Sequence, residues 1–429
     1  MKMRKYILIL PAVLALVQPS VCMAQDGGIA KNAELSLEDC IDITLKSNPA
    51  ISASFATQEA QKNKLSQTKS SYLPQIDASA NYSRGDSKSE DGWKGADNSY
   101  SSSINAKQLI YDFGQTGLSS DIQENSYYSS IADTKNLVVN TIYELKEAYY
   151  ATLLAKQSKA VYEQSVEQYQ EQLKRAKAYY QVGTRPKIDV TAAQVNLNNA
   201  KLNLIQAENS LKKSYHVLLN VMGVYDPNPQ FTLKMNDTLP EFKLTEEEAL
   251  DTAMQNRQDL LSYKLRLESA RQNVKLSKTG YAPSISASGS YGWSGGDFPL
   301  YDRWSVGAGI SVPIFSGLST YNKVKEAQNS MMSAYYNLTS AEQSVLLEIK
   351  KAYLNVQDSR SKIPVAEITR KQAQENYELA VGRYKVGVGN YIEVKDAETT
   401  LSDAKLSYIQ AVFDYILSIA ALNKAMGII

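Results

Sequence analysis

The stretch GLSSDIQENSYYSSIADTKNLVVNTIYELKEAYYATLLAKQSKAVYEQSVEQYQEQLKRAKAYYQV, residues 117–182, decides the fold. It runs for about 65 residues with no Pro and no Gly after its first residue. A continuous helix of that length would be roughly 100 Å long, whereas globular helices average about a dozen residues. Its apolar residues follow the three- and four-residue steps of a coiled coil: Val138, Ile142, Leu145, Tyr149, Val166, Tyr169, Leu173, Ala176 and Tyr180. We therefore predict a helical rod.

A second stretch of the same kind spans residues 318–386. Its apolar positions recur in the same steps: Val345, Ile349, Ala352, Val356, Ala373, Tyr377, Ala380 and Tyr384. The two long helices are predicted at about 114–182 and 317–386. Pro364 lies inside the second helix, where it removes one backbone hydrogen bond, so we expect a bend there.

Similarity between the two halves of the chain places the other elements around these rods. YLPQIDASANY (72–82) returns as YAPSISASGSY (281–291), and YYQVGTRPKIDV (179–190) as RYKVGVGNYIEV (383–394). The pattern indicates a tandem duplication of a unit of about 200 residues. Each unit has two helices, a strand pair, a long helix, a tight turn and a final helix. The predicted segments are a signal peptide (1–24), an N-terminal extension (25–34), a first repeat (35–223), an equatorial linker (224–243) and a second repeat (244–429).

The first 24 residues have the features of a secretory signal peptide. A basic start (Lys2, Arg4 and Lys5) precedes an apolar run, and cleavage is expected before Gln25. The apolar run is too short to span a bilayer. Two alternatives stay open, a retained membrane anchor and lipidation at Cys22.

Charge and composition exclude several classes of protein. The chain has 46 basic and 45 acidic side chains, and this balance gives no support for a nucleic-acid partner. After signal removal one cysteine, Cys40, and one histidine, His216, remain, which excludes an internal disulfide and a histidine metal cluster. No later segment holds 18 successive apolar residues, so any membrane crossing must use strands. We find no catalytic motif and predict neither an enzyme nor a cofactor.

Two pairs of alternating strands are predicted at about 74–113 and 283–315. In the first, Ile76, Ala78 and Ala80 alternate with polar residues, and Trp304, Val306 and Ala308 do so in the last. Such alternation also occurs in water-soluble sheets. Aromatic residues at the strand ends favour the two interfaces of a bilayer. The predicted membrane aromatic belt is Tyr82, Tyr111, Phe113, Tyr291, Trp293, Trp304 and Phe315.

Four strands cannot close a barrel, because the smallest membrane barrels have eight. Open strand edges cannot face lipid, so the barrel must be shared between chains. Eight strands would leave an interior just filled by side chains. The expected inner face of Ser, Gly, Asn and Asp suits a water-filled lumen, which favours three or more copies.

The duplicated Y-x-P entry to a strand pair and the duplicated Y-x-V-G turn resemble the TolC-like outer membrane efflux proteins over essentially the whole mature chain. The resemblance implies a mainly α fold with membrane β, in which a homotrimer forms an α-barrel continuous with a shared 12-stranded transmembrane β-barrel. It implies an exit duct for a tripartite efflux pump or a type I secretion system in the outer membrane of a Gram-negative bacterium. The implied partners are a periplasmic adaptor, an inner-membrane pump of RND, ABC or MFS type, and outer membrane lipid.

The candidate functional residues lie at the two tight turns, about 100 Å from the strands. Adaptor docking is expected at Gly183, Thr184, Gly387 and Val388. A periplasmic gate is expected from the nearby charged residues Asp189, Glu393, Asp396, Arg185 and Lys187. Because Glu393 and Asp396 are three apart, they share a helix face, and several copies would form an acidic constriction selective for cations.

Other roles for these residues stay open. The resembling family carries an aspartate pair where this chain has Glu393 and Asp396. Asn390 and Glu393 also fit a helix cap with a reciprocal acidic partner. Arg185 and Lys187 are expected either to pair with carboxylates of a neighbouring helix or to remain solvated.

Three tyrosines near the turns are expected to pack between helices: Tyr179, Tyr180 and Tyr384. Two rival functions are a periplasmic adaptor and a coiled-coil structural protein without a pore. An adaptor would need β segments flanking a single hairpin, whereas this chain has two complete units. A structural protein would not explain an export signal together with four alternating strands.

Overall fold

The fold was analysed in a computed structural model, which describes residues 32–86, 88–89, 92–93, 95–235 and 239–428. The predicted signal peptide, Cys22 within it and most of the 25–34 extension lie outside the described residues. Helices dominate, and two of them are far longer than the rest.

The first half of the chain contains two short helices, the first strand pair, a long helix and a final helix, as the sequence predicts for each unit. Its elements are β1 (Glu34–Leu35), α1 (Leu37–Ser47), α2 (Pro49–Lys69), β2 (Gln75–Gly85), β3 (Lys88–Ser89), β4 (Gly92–Trp93), β5 (Asp97–Tyr111), α3 (Gln115–Gln181) and α4 (Lys187–Met222). Local sequence explains the helix starts. Ser36 and Asp39 form a reciprocal capping box at α1, and Asn48 with the following Pro49 starts α2.

The second half repeats this order. Its elements are β6 (Thr232–Leu233), α5 (Glu246–Asn256), α6 (Gln258–Lys278), β7 (Ser284–Gly295), β8 (Tyr301–Ser311), α7 (Ser319–Lys385) and α8 (Tyr391–Ala425). The four helices of the first half have 11, 21, 67 and 36 residues, and those of the second have 11, 21, 67 and 35. The strands end slightly earlier than predicted, so Phe113 and Phe315 follow β5 and β8.

The four long strands form one antiparallel sheet in the order β2–β5–β7–β8. From the sequence we predicted the two strand pairs but not how they join within one chain. Pairing of β5 with β7, from Tyr100 opposite Gly295 to Tyr111 opposite Ile285, joins them. Joining satisfies backbone groups on two of the four hairpin edges. The edges of β2 and β8 remain without a partner strand in the described part of the chain.

The helices form a layer that continues from the sheet. In the half nearer the sheet, α3 packs against α2 and α6, and α6 packs against α7. In the other half, α3 packs against α4 and α8, and α8 packs against α7. The linker crosses the layer at mid-length, where β6 pairs with β1 and the Tyr149 hydroxyl donates to the carbonyl of Lys234. The predicted linker therefore lies at the waist of the rods.

Polar contacts hold α3 against α6 near the sheet. Ser129 and Ser262 share a buried hydrogen bond of 2.8 Å, Asn125 donates to Gln272 at 2.9 Å, and Arg266 pairs with Asp133 at 2.6 Å. Small side chains at such contacts allow close approach of the helices. In the opposite half, a cluster of aromatic and aliphatic side chains is buried between the helices.

One helix of the described residues, α8, is long and apolar enough to cross a membrane by length and composition. The sequence analysis had expected no such helix. In the fold, α8 packs along α7 and α3, and the apolar side chains Phe413, Leu401 and Leu422 are buried in these contacts. This packing accounts for part of its hydropathy, since 28% of its most apolar window is buried within the chain.

The second long helix, α7, continues through Pro364 without ending. One backbone hydrogen bond is lost at this residue because proline has no N–H. The guanidinium of Arg360, one turn earlier, donates to the carbonyl of Phe242 in the linker at 3.3 Å. The helix is thus held from outside near the proline, and the expected bend stays a prediction.

Close approach of β5 to β7 predicts a strict requirement for glycine at position 292. A Cβ atom there would overlap the carbonyl oxygen of Ser102, which forces the backbone to move. We expect Gly292→Ala to destabilise the sheet by about 1–3 kcal/mol, the usual cost of overpacking. The measurement is loss of the β circular-dichroism signal on heating. Gly307→Ala is the matched control, because Gly307 has open space around it. Equal melting of the two variants would contradict this prediction.

Candidate functional site

Two glycine turns connect the long helices to the final helices. Gly183 has φ of 77° and Gly387 has φ of 84°, a left-handed backbone that favours glycine. Backbone N–H groups of each turn bond back to the helix, two in the first turn and three in the second, as in a Schellman motif. Thr184 N–H donates to the carbonyl of Tyr179 at 3.0 Å, and Val388 N–H to that of Arg383 at 3.1 Å. The two turns therefore have the same construction.

A cluster of apolar and aromatic side chains lies directly behind the turns. The ring of Tyr384 packs edge-on against Tyr179 at 5.8 Å between centroids and against Tyr391 at 6.3 Å. Asn196 donates to the Tyr391 hydroxyl at 2.9 Å. Tyr384 is only 4% exposed, so it packs between helices, whereas Tyr180 is largely exposed. The buried members of this tip cluster are Tyr169, Leu173, Ala176, Ala193, Leu197, Ala200, Ala380, Tyr384, Tyr391, Val394 and Ala397.

Arg185 of the first turn contacts the second turn directly. Its guanidinium donates to the carbonyl oxygen of Gly389 at 2.8 Å and to that of Gly387 at 3.4 Å. The same group lies 5.1 Å from the centroid of the Tyr384 ring. The sequence analysis expected a carboxylate partner or a solvated side chain. Within the described part of the chain the partners are instead backbone carbonyls and an aromatic face, because the two turns lie side by side.

The acidic residues of the second turn remain accessible. Asn390 accepts a hydrogen bond from Glu393 N–H at 2.9 Å, which forms half of the predicted cap. The reciprocal half is missing among the described contacts, because the Glu393 carboxylate turns to Arg383 at 3.4 Å. Asp396 pairs with Lys395 at 3.0 Å. Both acids are therefore surface groups on one side of α8.

Asp189 lies on the other hairpin, in the first turn of α4. Burial raises the pKa of Tyr384, and the Asp189 charge raises it further while Arg185 opposes this. Burial likewise raises the pKa of Tyr391 to about 12, and the charge of Asp189 adds to this. The structure thus brings Asp189 and Arg185 together around Tyr384. Lys187 is exposed beside them and has no ion pair among the described contacts.

An apolar patch at the turns was missed by the sequence analysis. Its side chains are 65–75% exposed: Val182, Ile188, Val386, Val388 and Ile392. The sequence signal for this patch was the presence of apolar residues on both sides of each glycine turn. Of these residues, only Val388 was selected from the sequence. The patch adjoins Gly183, Thr184 and Gly387, which are also exposed.

The sheet at the other end has two chemically distinct faces. Strand register places Ala78 opposite Ile104, and Tyr291 opposite Trp304, on one face. The opposite face contains cross-strand polar pairs. Ser79 and Ser103 hydroxyls are 3.1 Å apart, Asn105 donates to Asp77 at 2.9 Å, and the hydroxyls of Ser290 and Ser305 are 2.8 Å apart. All four strands therefore share one apolar and one polar face.

Aromatic residues occupy both ends of the sheet. Tyr82 stacks with Tyr100 at 5.0 Å near the connecting loops, while Tyr111 and Phe113 meet at 4.7 Å near the helices. The predicted belt residues are all exposed: Tyr82, Tyr111, Phe113, Tyr291, Trp293, Trp304 and Phe315. Two aromatic bands flanking an apolar face are typical of strands that cross a membrane. Among the described residues there is no cluster of His, Cys, Asp and Glu that could hold a metal ion.

Comparison with known proteins agrees with this architecture. The family model described as "Outer membrane efflux protein" matches residues 40–224 and 249–428. The outer membrane protein TolC of Vibrio cholerae is 25% identical over 394 residues, which cover 89% of this chain and 88% of TolC. The crystal structure of the CmeC outer membrane channel of Campylobacter jejuni superposes with a TM-score of 0.82 at 21% identity, covering 91% of this chain and 85% of CmeC.

The Arg185 contact predicts that its removal loosens the second turn. A hydrogen bond from a charged donor to a carbonyl at a half-exposed site contributes about 1 kcal/mol to the free energy of local opening. Arg185→Ala should therefore speed amide exchange at residues 387–393 about fivefold. Hydrogen exchange read by mass spectrometry measures this. Lys187→Ala, which removes the same charge two residues away, should leave these amides unchanged. Identical exchange in both variants would show that the Arg185 contact does not hold the turn.

Proposed function

The chain belongs to the outer membrane efflux protein family, and we propose that it forms the exit duct of a tripartite efflux pump or a type I secretion system. It resides in the outer membrane of a Gram-negative bacterium and extends into the periplasm. Cargo passes through it to the exterior without a chemical step. A separate pump supplies the energy.

The observation that carries this proposal is the four-stranded sheet, which has one apolar face and, in the part of the chain that the structure describes, two edges without a partner strand. Every residue of β2 and β8, the edge strands, is exposed. In lipid these edges need partners, and a second or third copy of the same sheet supplies them. Three copies give twelve strands, with the Ser-rich faces around a water-filled lumen. Open edges and a water-filled lumen favour three or more copies, and the resemblance to the family implies three, a homotrimer.

Exposed apolar side chains on the outer helices of the layer support the same assembly. On α7 they include Leu346, Leu347, Leu354, Val365, Ile368 and Leu379. On α2 and α4 they include Phe55, Val195, Leu202, Ile205 and Val217. These helices form opposite edges of the layer in one chain, so rotation about a threefold axis brings α7 of one copy against α2 and α4 of the next. The helical layers then close into an α-barrel below the β-barrel.

The internal duplication supports this arrangement as well. The two halves supply equivalent hairpins with helices of nearly equal length, so three chains act as six similar units around one axis. The contact between the two repeats of one chain can then have a geometry similar to that of the contact between neighbouring chains. Six units of nearly equal length then form a cylinder that has the same length on all sides, as a duct requires.

At the inner end we propose a gate. Glu393 and Asp396 from each of three copies would form a ring of six carboxylates that selects for cations. The Arg185 bridge and the tip cluster hold the two turns of each copy together. Lys187 and Asp189 lie beside this bridge and belong to the same charged region.

The turns are also where a periplasmic adaptor would dock. Gly183, Thr184, Gly387 and Val388 are exposed, and the apolar patch beside them offers surface that is costly to leave in water. Adaptor binding would favour a dilated arrangement of the helices. The adaptor in turn would link the duct to an inner-membrane pump of RND, ABC or MFS type. The alternative of a poreless adaptor or structural protein has no comparable support, because neither needs a sheet with a membrane face.

The acidic ring predicts the ion selectivity of the duct. Replacing Glu393 with Gln and Asp396 with Asn removes two charges per copy without changing side-chain size. The ratio of cation to anion permeability should fall several-fold toward unity in planar bilayers. Asp121→Asn with Glu124→Gln is the matched control, since these acids have the same spacing on α3 but lie near the sheet.

Unchanged selectivity together with unchanged resting conductance would remove the acidic gate from the proposal. The duct itself is tested separately by cell fractionation. A heat-modifiable oligomer in the outer membrane is expected, and a soluble periplasmic monomer would refute the duct.

A further inference from the structure

Glu398 is the one carboxyl side chain that is buried within the described part of the chain, at 1% exposure. It lies on α8 two residues after Asp396, yet it faces the opposite direction, into the contact with α3. This contact, here called the seam, is the main one between the α3–α4 hairpin and the α7–α8 hairpin. Neither the gate nor the adaptor site uses this carboxyl group.

The hydrogen-bond partners of Glu398 are neutral. Ser165 of α3 donates to Oε1 at 3.2 Å. The side-chain amide of Gln168, oriented with its nitrogen toward Glu398, donates to both carboxyl oxygens. Ser402 lies next to Ser165, with 3.4 Å between the hydroxyl oxygens. An ionised carboxylate at this place is thus stabilised by hydrogen bonds from two uncharged side chains of the other hairpin.

Charged and titratable groups surround this site from three helices without pairing with it. Lys405 of α8 is the nearest cation, but its ammonium donates to Gln164 at 2.8 Å. Tyr169 of α3 and Tyr377 of α7 face Glu398 and sense its charge. Arg370 of α7 lies over the ring of Tyr408 and faces Lys405. An ionised Glu398 is therefore buried without an ion-pair partner among the described residues, which is costly.

The protonated form avoids this cost. Burial raises the pKa of Glu398 to about 7, although the Ser165 hydrogen bond and the Lys405 charge pull it down. Near neutral pH the side chain therefore exists in both forms. A neutral carboxylic acid accepts from Ser165 and donates its O–H to the side-chain oxygen of Gln168, whose amide then faces Glu398 in the opposite orientation.

We propose that Glu398 is a proton-controlled latch on the seam: its neutral form holds α3 against α8, and its ionisation favours separation of the two hairpins and dilation of the inner end. This inference rests on the proposed duct. The seam is where the two hairpins of one copy must part if the tip is to widen, because each hairpin is otherwise held together along its length by α3 with α4 and α7 with α8.

The direction of the effect follows from linkage. If separation of the seam returns the carboxyl to its ordinary pKa of 4.5, the closed state binds the proton more tightly than the open one. The ratio of open to closed duct then rises by up to tenfold per pH unit between 4.5 and 7, and levels off above that range. Low pH closes the inner end.

Planar-bilayer conductance of the full-length protein between pH 4.5 and 8 tests the latch. The resting conductance of the wild type should rise with pH and then level off. Glu398→Gln, which is neutral at every pH and can keep both hydrogen bonds, should stay near the low-pH value throughout. Glu171→Gln, which removes an exposed carboxyl of α3, should follow the wild-type curve. Ser165→Ala removes a bond that lowers the pKa, so its curve should move to higher pH.

Hydrogen exchange of residues 161–176 and 394–404 over the same pH range gives a second measurement that needs no conduction. After correction for the intrinsic, base-catalysed rise of amide exchange with pH, the protection of these amides should fall with pH in the wild type and stay constant in Glu398→Gln. A protein that never conducts, yet shows this difference, would refute the duct and leave the latch. A conducting Glu398→Gln variant with the wild-type pH dependence in both measurements would overturn the latch.

Discussion

The structure depends on one constraint: backbone N–H and C=O groups that face lipid must be hydrogen-bonded within the protein. Within the chain, β5 and β7 meet this constraint fully, since each has a neighbour on both sides. The edge strands β2 and β8 meet it on one side only. Further copies placed around an axis, as proposed, would pair the remaining edges and cover the exposed sides of α7 and α4. They would also bring the carboxylates at the far turns together.

The sequence alone predicted much of this fold, because periodicity over long segments is a strong signal. A run of 67 residues with coiled-coil spacing has few alternatives, and α3 and α7 occur where the pattern placed them. Strand alternation also located β2, β5, β7 and β8 to within a few residues. What periodicity cannot supply is the neighbour of a strand. The pairing of β5 with β7 joins residues almost 200 positions apart, and the turn residues carry no trace of it.

The functional residues were harder to assign, since their partners are distant in the sequence. Arg185 was expected to find a carboxylate, but the side-by-side arrangement of the turns presents it with carbonyls of Gly387 and Gly389. Glu398 was not selected at all. In the stretch DAETT it resembles any acid on a solvated helix face, and only the crossing of α3 over α8 shows that it is buried. The exposure of the apolar patch could not be predicted from the sequence either, because it depends on where the helices end in the fold.

The polar contacts between α3 and α6 have a mechanical consequence. Hydrogen bonds between Ser129 and Ser262 or Asn125 and Gln272 have fixed lengths and angles, so these helices resist sliding and twisting. Near the turns, tyrosine and alanine side chains also pack without fixed angles, and the hydrogen bonds there include that of Glu398, which changes with its protonation. If the inner end opens as proposed, we expect the movement to be taken up between the waist and the turns, so that the width of the outer mouth stays constant.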